Sequence, residues 1–113
     1  MYAQGRGVPK DDAEAVKWFR KAADQGNAVG QANLGRMYAE GRGVPKDDAE
    51  AVKWYRKAAD QGNASAQRSL GFMYDRGHGV PKNDAEAVKW FRNAAQQGEE
   101  SAQGELRKRR LSW

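Results

Sequence analysis

The residues of this chain that could carry out chemistry are a single histidine, His78, and carboxylates that recur at a fixed spacing. A metal site or an activated nucleophile would need further ligands or a paired base near the histidine, and the sequence supplies neither. We therefore interpret His78 as a polar loop residue. The recurring carboxylates, Glu14, Glu50 and Glu86, each follow an Asp or Asn by three residues, which is the spacing of a helix capping box. They are interpreted as capping residues, and no acid–base pair remains.

Pairs of glycines also suggest a chemical site, because dinucleotide-binding loops are rich in glycine. The pairs are Gly5-x-Gly7, Gly41-x-Gly43 and Gly77-x-Gly79. A dinucleotide loop needs a third glycine and a preceding strand, whereas here a lysine and a helical pattern stand in those places. The absence of cysteine excludes thiolate metal sites. The sequence therefore predicts structural turns, no enzyme, no cofactor and no metal.

The same glycine loops reveal an internal repeat. Gly7-Val8-Pro9-Lys10 recurs as residues 43–46 and again as residues 79–82, a step of 36 residues. A fixed period in this range is typical of stacked repeat arrays. We predict one array over residues 1–113. It comprises a partial repeat with only the second helix (1–27), two full repeats (28–63 and 64–99), and a terminal helix with a basic tail (100–113).

Each repeat has the pattern of a helical hairpin. Its second helix starts at Asp11 or the equivalent residue, ends at a glycine such as Gly26, and has apolar residues at helical spacing. Its first helix repeats this spacing and ends at Gly41 or Gly77. This predicts an all-α fold, an α-solenoid of helix-turn-helix repeats. The tryptophans at 18, 54 and 90 are expected in the core, with Trp18 as the possible exception because its side of the array lacks a full neighbour.

These motifs resemble those of the Sel1-like repeat family, a relative of the tetratricopeptide repeats. The resemblance rests on the 36-residue period, on Leu34-Gly35 and Leu70-Gly71 ahead of Met-Tyr, on the Gly-x-Gly-Val-Pro-Lys loop, and on the helix Asp-Ala-Glu-Ala-Val-Lys-Trp. It covers about residues 1–106. The resemblance implies a right-handed superhelix whose first helices line a concave face, and a role as a scaffold or adaptor for protein–protein contacts. Some members are cysteine-rich and disulfide-linked, which does not apply here.

The charge of the chain is concentrated at its C-terminus. Most of the net charge of +5 comes from the run Arg107, Lys108, Arg109 and Arg110, so the repeats lack the basic stripe expected for binding a phosphate backbone. The run could bind nucleic acid or an anionic surface. Alternatively, it is the polar outer face that a terminal repeat needs for solubility. If its helix continued to the end, Leu106 and Trp113 would share one face.

The leading hypothesis is a non-catalytic adaptor that binds a protein or peptide on the concave face. Copies of the repeat differ most in the first helix, and the positions there that point away from the apolar stripe are the predicted contacts. Phe72 is the foremost of them, because an aromatic ring flanked by arginines has the composition of an interface hot spot. Ordinary solvated positions are the alternative. The predicted contacts are Asn33, Arg36, Glu40, Arg68, Ser69, Phe72 and Arg76.

The apolar face of the 11–25 helix has no hairpin partner of its own, which predicts self-association through the N-terminal end or marginal stability. No apolar stretch approaches the ~20 residues that a membrane span needs, and no charged-then-apolar leader opens the chain. We therefore expect a soluble chain, cytoplasmic by default.

Overall fold

The computed structural model describes residues 11–113. These residues form six helices: α1 (Asp12–Asp24), α2 (Ala28–Glu40), α3 (Asp48–Asp60), α4 (Ala64–Arg76), α5 (Asp84–Ala95) and α6 (Glu100–Lys108). The described part contains no strand. Each helix packs mainly on the helices before and after it in the chain. The predicted all-α solenoid is confirmed. The first loop copy, with Gly5 and Gly7, lies outside the described residues.

Polar side chains begin the second helices where the sequence predicts. The Oδ1 atoms of Asp47 and Asn83 accept hydrogen bonds from the backbone three residues on, at 3.1 and 3.0 Å. The return bond of a capping box is not formed, because the backbone N–H of Asp47 donates to the Tyr38 carbonyl at 3.0 Å. Of the two bonds in the predicted capping box, the side-chain bond is therefore confirmed and the return bond is wrong. The N-cap backbone ties the second helix to the end of the first.

Glycine ends the second helices by adopting a left-handed conformation. Gly26 has a φ of +87°, its N–H donates to the Ala23 carbonyl, and the N–H of Asn27 donates to the Ala22 carbonyl. This pair of bonds is a Schellman motif, and glycine adopts the positive φ without steric cost. The predicted helix ends are confirmed.

The core consists of clusters shared between successive hairpins. Trp54 on α3 packs into a cluster with Val16, Leu34 and Met37 of the preceding two helices. Trp90 on α5 fills the next cluster in the same way. Both rings are buried, as predicted, whereas Trp18 is 55% exposed. The expected exception at Trp18 is confirmed, because no such cluster precedes α1 in residues 11–113.

Buried amides connect one repeat to the next. The Gln67 side chain donates to the Ala59 carbonyl at 3.1 Å and accepts a bond from Gln97 at 2.8 Å. Gln31 and Gln61 make the same contact one repeat earlier. Burying a primary amide is costly unless its donors and acceptor find partners. These bonds therefore fix the register in which hairpins stack.

Candidate functional site: the first-helix surface

The predicted contact residues lie on the outward side of α2 and α4, which we call the first-helix surface. All of its positions are exposed or half-buried, in contrast to the buried Leu34 and Leu70 on the opposite side of the same helices. The surface comprises Val29, Asn33, Arg36, Glu40, Ser65, Arg68, Ser69, Phe72 and Arg76.

The side chain of Phe72 is more constrained by its neighbours than the sequence suggested. Its ring is half-buried and packs edge-to-face on Phe91, with ring centroids 5.0 Å apart. The guanidinium of Arg76 lies 4.7 Å from the centre of the Phe72 ring, a distance at which a cation is attracted to an aromatic face. Its role as a partner contact stays a prediction, but the ring is less exposed than a position on the outward face of the helix predicts. Phe72 is a half-buried ring held between the core and an exposed cation.

Arg68 is also engaged within the chain. Its guanidinium forms an ion pair with Glu99 at 2.9 Å and a hydrogen bond to the Ser65 hydroxyl at 3.3 Å. The side chain is therefore positioned by its own neighbours, and it does not flank Phe72 as a free cation. Its counterpart on the other side of Phe72, Arg76, is exposed.

Two features of this surface were missed by the sequence analysis. Val29 is a large apolar side chain that is 60% exposed. The second is Tyr55, which is buried beside this surface: burial raises its pKa, while nearby Ser69 acts in the opposite direction. The sequence did contain a signal that Tyr55 is special. The exchange of Phe19 for Tyr55 is the sole difference between residues 5–27 and 41–63.

The basic run at the C-terminus is partly neutralised. Arg109 is half-buried and pairs with Asp75 at 2.7 Å and with Glu105 at 3.0 Å. Burial would raise the pKa of Glu105, but hydrogen bonds from Lys108 and Arg109 outweigh it and lower that pKa. Two of the four cations thus have carboxylate partners, and the run is not one open patch.

The tail after α6 folds back onto α5. Helix α6 ends at Lys108, so Leu106 and Trp113 do not share a helical face. The Nε of Arg92 donates to the Ser112 carbonyl at 3.0 Å, and the Nε2 of Gln96 donates to the Trp113 carbonyl at 3.1 Å. These bonds hold the tail against α5, and the capping interpretation of the basic run stays a prediction.

Arg110 should be replaceable by glycine with a gain in stability. It has a φ of +59°, and its N–H and that of Leu111 complete a Schellman motif at the end of α6. Because a side chain is strained in this conformation, we expect Arg110→Gly to raise the free energy of unfolding by about 1 kcal/mol in urea denaturation. Arg107→Gly, inside α6, should lower it by about 1 kcal/mol. A loss of stability in Arg110→Gly would contradict the assignment of Arg110 as the left-handed residue that ends α6.

A cleft of about 540 Å³ lies away from this surface, along α1. Its walls in the described residues come from α1, with Trp18, Lys17 and Lys21 among them, and from Val44 in the loop between α2 and α3. A single convex helix does not enclose a ligand, so we place no site there. Self-association through this end of the array stays a prediction.

Metal-binding groups are not clustered in the part of the chain that the structure describes. Within residues 11–113, no three His, Asp or Glu side chains are close enough to hold a metal ion. His78 is exposed in the loop between α4 and α5. None of the described helices is long and apolar enough to cross a lipid bilayer.

Comparisons with known proteins agree with this architecture. Residues 1–27, 28–63 and 64–99 match the family model described as Sel1 repeat. No curated protein matches the chain in sequence.

Solved structures are similar over most of the chain. The crystal structure of c5321, a protective antigen present in uropathogenic Escherichia coli strains and displaying an SLR fold, is 46% identical with a TM-score of 0.85. A Sel1 repeat protein from Oxalobacter formigenes is 45% identical with a TM-score of 0.83. The alignments cover 95% and 90% of this chain but only 24% and 42% of those proteins. This chain therefore spans less than half the length of either.

A third similar structure is the cysteine rich protein B of Helicobacter pylori. It is 34% identical with a TM-score of 0.76, over 80% of this chain and 68% of that one. The fold is thus shared with a cysteine-rich protein although this chain has no cysteine. Because the repeat model matches three stretches that together span most of its length, the chain belongs to the Sel1 repeat family.

Proposed function

We propose that this chain is a non-catalytic scaffold that binds a protein or peptide on the concave face lined by the first helices of its repeats. Sel1 repeat proteins generally serve as scaffolds for protein interactions. A repeat array offers an extended surface built from similar units, and such surfaces suit binding.

The observation that carries the proposal is the arrangement around Phe72. The ring is half-buried and backed by Phe91, so it loses little conformational freedom when a partner covers its open side. Arg76 stacks on the ring, and Val29 adds exposed apolar area on the neighbouring first helix. Aromatic and arginine side chains held in this way are the usual anchors of protein interfaces.

The alternative, binding of nucleic acid or an anionic surface through the C-terminal run, has less support. Arg109 and Lys108 are engaged by Asp75 and Glu105, which lowers the charge available to phosphates. Steep weakening of binding with salt would favour this alternative.

Phe72→Ala should weaken peptide binding by tenfold or more, which corresponds to a loss of at least about 1.4 kcal/mol. The measurement uses peptides enriched from a random library on the immobilised protein, with affinities determined by fluorescence anisotropy and helicity by circular dichroism. Because Phe72 also packs on Phe91, we expect some loss of stability as well.

Val88→Ala is the matched control for this experiment. Val88 packs on the same apolar cluster as Phe72, but it lies on α5, a second helix. It should lose packing without losing affinity. If Phe72→Ala binds the enriched peptides as tightly as the unchanged protein, the concave face is not the binding surface.

A further inference from the structure

The charges on and beside the first-helix surface are mostly satisfied by one another. Arg68 pairs with Glu99 at 2.9 Å, and Glu40 accepts a bond from Arg42 at 3.2 Å. Arg36 and Arg76 differ from these residues. Both are exposed, and among residues 11–113 neither has an ion pair or a hydrogen-bond partner for its guanidinium. The unbalanced charge of this surface is therefore positive and resides on two arginines.

The two arginines are related to the aromatic anchor in different ways. Arg36 and Phe72 are 36 residues apart, so they hold the same position in successive repeats, and Arg76 is one helical turn beyond Phe72 on α4. Arg76 is kept over the Phe72 ring at 4.7 Å. An arginine that is already stacked on a ring loses less freedom when it binds, and its planar group pairs with a carboxylate through two parallel hydrogen bonds.

We propose that the partner of this surface is an acidic protein segment that carries carboxylates next to an apolar side chain. The apolar side chain covers Phe72, and the carboxylates pair with Arg36 and Arg76. This inference rests on the proposed function and adds the chemical class of the partner. Charge complementarity is the feature that selects an acidic segment over a neutral or basic one.

A nucleic acid fits this surface less well. Its binding requires several cations that follow the phosphates in a row, whereas Arg36 and Arg76 are the two unpaired cations described above. Carboxylates of Glu40 and Asp75 lie on the same two helices. They pair with Arg42 and Arg109, so those two arginines are not free to extend the row of cations.

The test is a selection of peptides from a random library on the intact chain. We expect the enriched peptides to contain more Asp and Glu than the starting library, next to an apolar residue. Arg36→Gln and Arg76→Gln should each weaken binding of the best peptide about fivefold to tenfold, as expected for loss of one charge-assisted contact. Replacing the acidic residues of that peptide by their amides should weaken binding similarly.

Lys57→Gln is the matched control, because it removes one exposed positive charge from the second helix α3. It should leave the affinity unchanged. If the enriched peptides show no acidic bias and bind Arg36→Gln and Arg76→Gln normally, but still depend on Phe72, then the partner class is wrong and the proposed function stands.

Other results would overturn both proposals. Peptides that are indifferent to Phe72→Ala as well as to the arginine variants bind elsewhere, and a selection that enriches no peptide argues against a peptide-binding surface. Tight, salt-sensitive binding of a single-stranded oligonucleotide that requires Arg107 and Arg110 would assign the function to the C-terminal run instead.

Discussion

Gly79→Ala should lower the free energy of unfolding by about 3 kcal/mol, one of the largest losses for so small a change. Gly79 has a φ of +77°, and a Cβ atom there would lie 2.4 Å from the carbonyl oxygen of Asp48, in the preceding second helix. The left-handed conformation alone costs a side chain roughly 1–2 kcal/mol, and relieving a clash with a backbone atom adds a similar amount. Urea denaturation followed by circular dichroism measures the sum.

Gly62→Ala separates these two contributions. Gly62 has a φ of +93°, but nothing lies within 4 Å of the position of its Cβ. We expect this variant to lose only about 1 kcal/mol, from backbone strain. The difference between the two variants then measures how closely the loop packs on the preceding repeat. Equal losses would show that the loop does not depend on this contact.

The sequence was sufficient to predict the helices, their ends and the tryptophan positions, because each depends on local chemistry that recurs every 36 residues. Asp47 caps α3 through its own side chain, and Gly26 stops α1 through its own backbone. A spacing pattern contains this information directly.

The candidate site could be predicted only in outline, because its details depend on contacts between repeats. Helical spacing placed Phe72 and Arg68 on the outward side of α4. It did not show that Phe72 packs on Phe91 or that Arg68 forms an ion pair with Glu99. Nor did it show that Tyr55 lies near Ser69. Such pairs join residues that are about 14 to 31 positions apart, so no local pattern reports them.

A glycine inside a first helix gives the second prediction of a large loss of stability. Gly71 lies in the middle of α4, where alanine is usually better by about 1 kcal/mol. A Cβ there would lie 2.7 Å from Cε1 of Phe91, whose side chain is fully buried and cannot move aside. Overpacking of this kind costs roughly 1–3 kcal/mol. We therefore expect Gly71→Ala to lower the free energy of unfolding by up to about 2 kcal/mol, which is the overpacking cost less the gain in helix propensity.

Gly104→Ala should have the opposite sign. Gly104 lies within α6, and nothing lies within 4 Å of the position of its Cβ, so the gain of up to about 1 kcal/mol in helix propensity is not opposed. A double-mutant cycle with Phe91→Leu tests the cause of the difference. In the Phe91→Leu background the cost of Gly71→Ala should shrink, because the aromatic ring that clashes with the new Cβ is absent. The gain from Gly104→Ala should persist. If Gly71→Ala stabilises the chain as Gly104→Ala does, the aromatic ring of the second helix does not pack against the backbone of α4. The close approach of α5 to α4 at Gly71 would then be wrong.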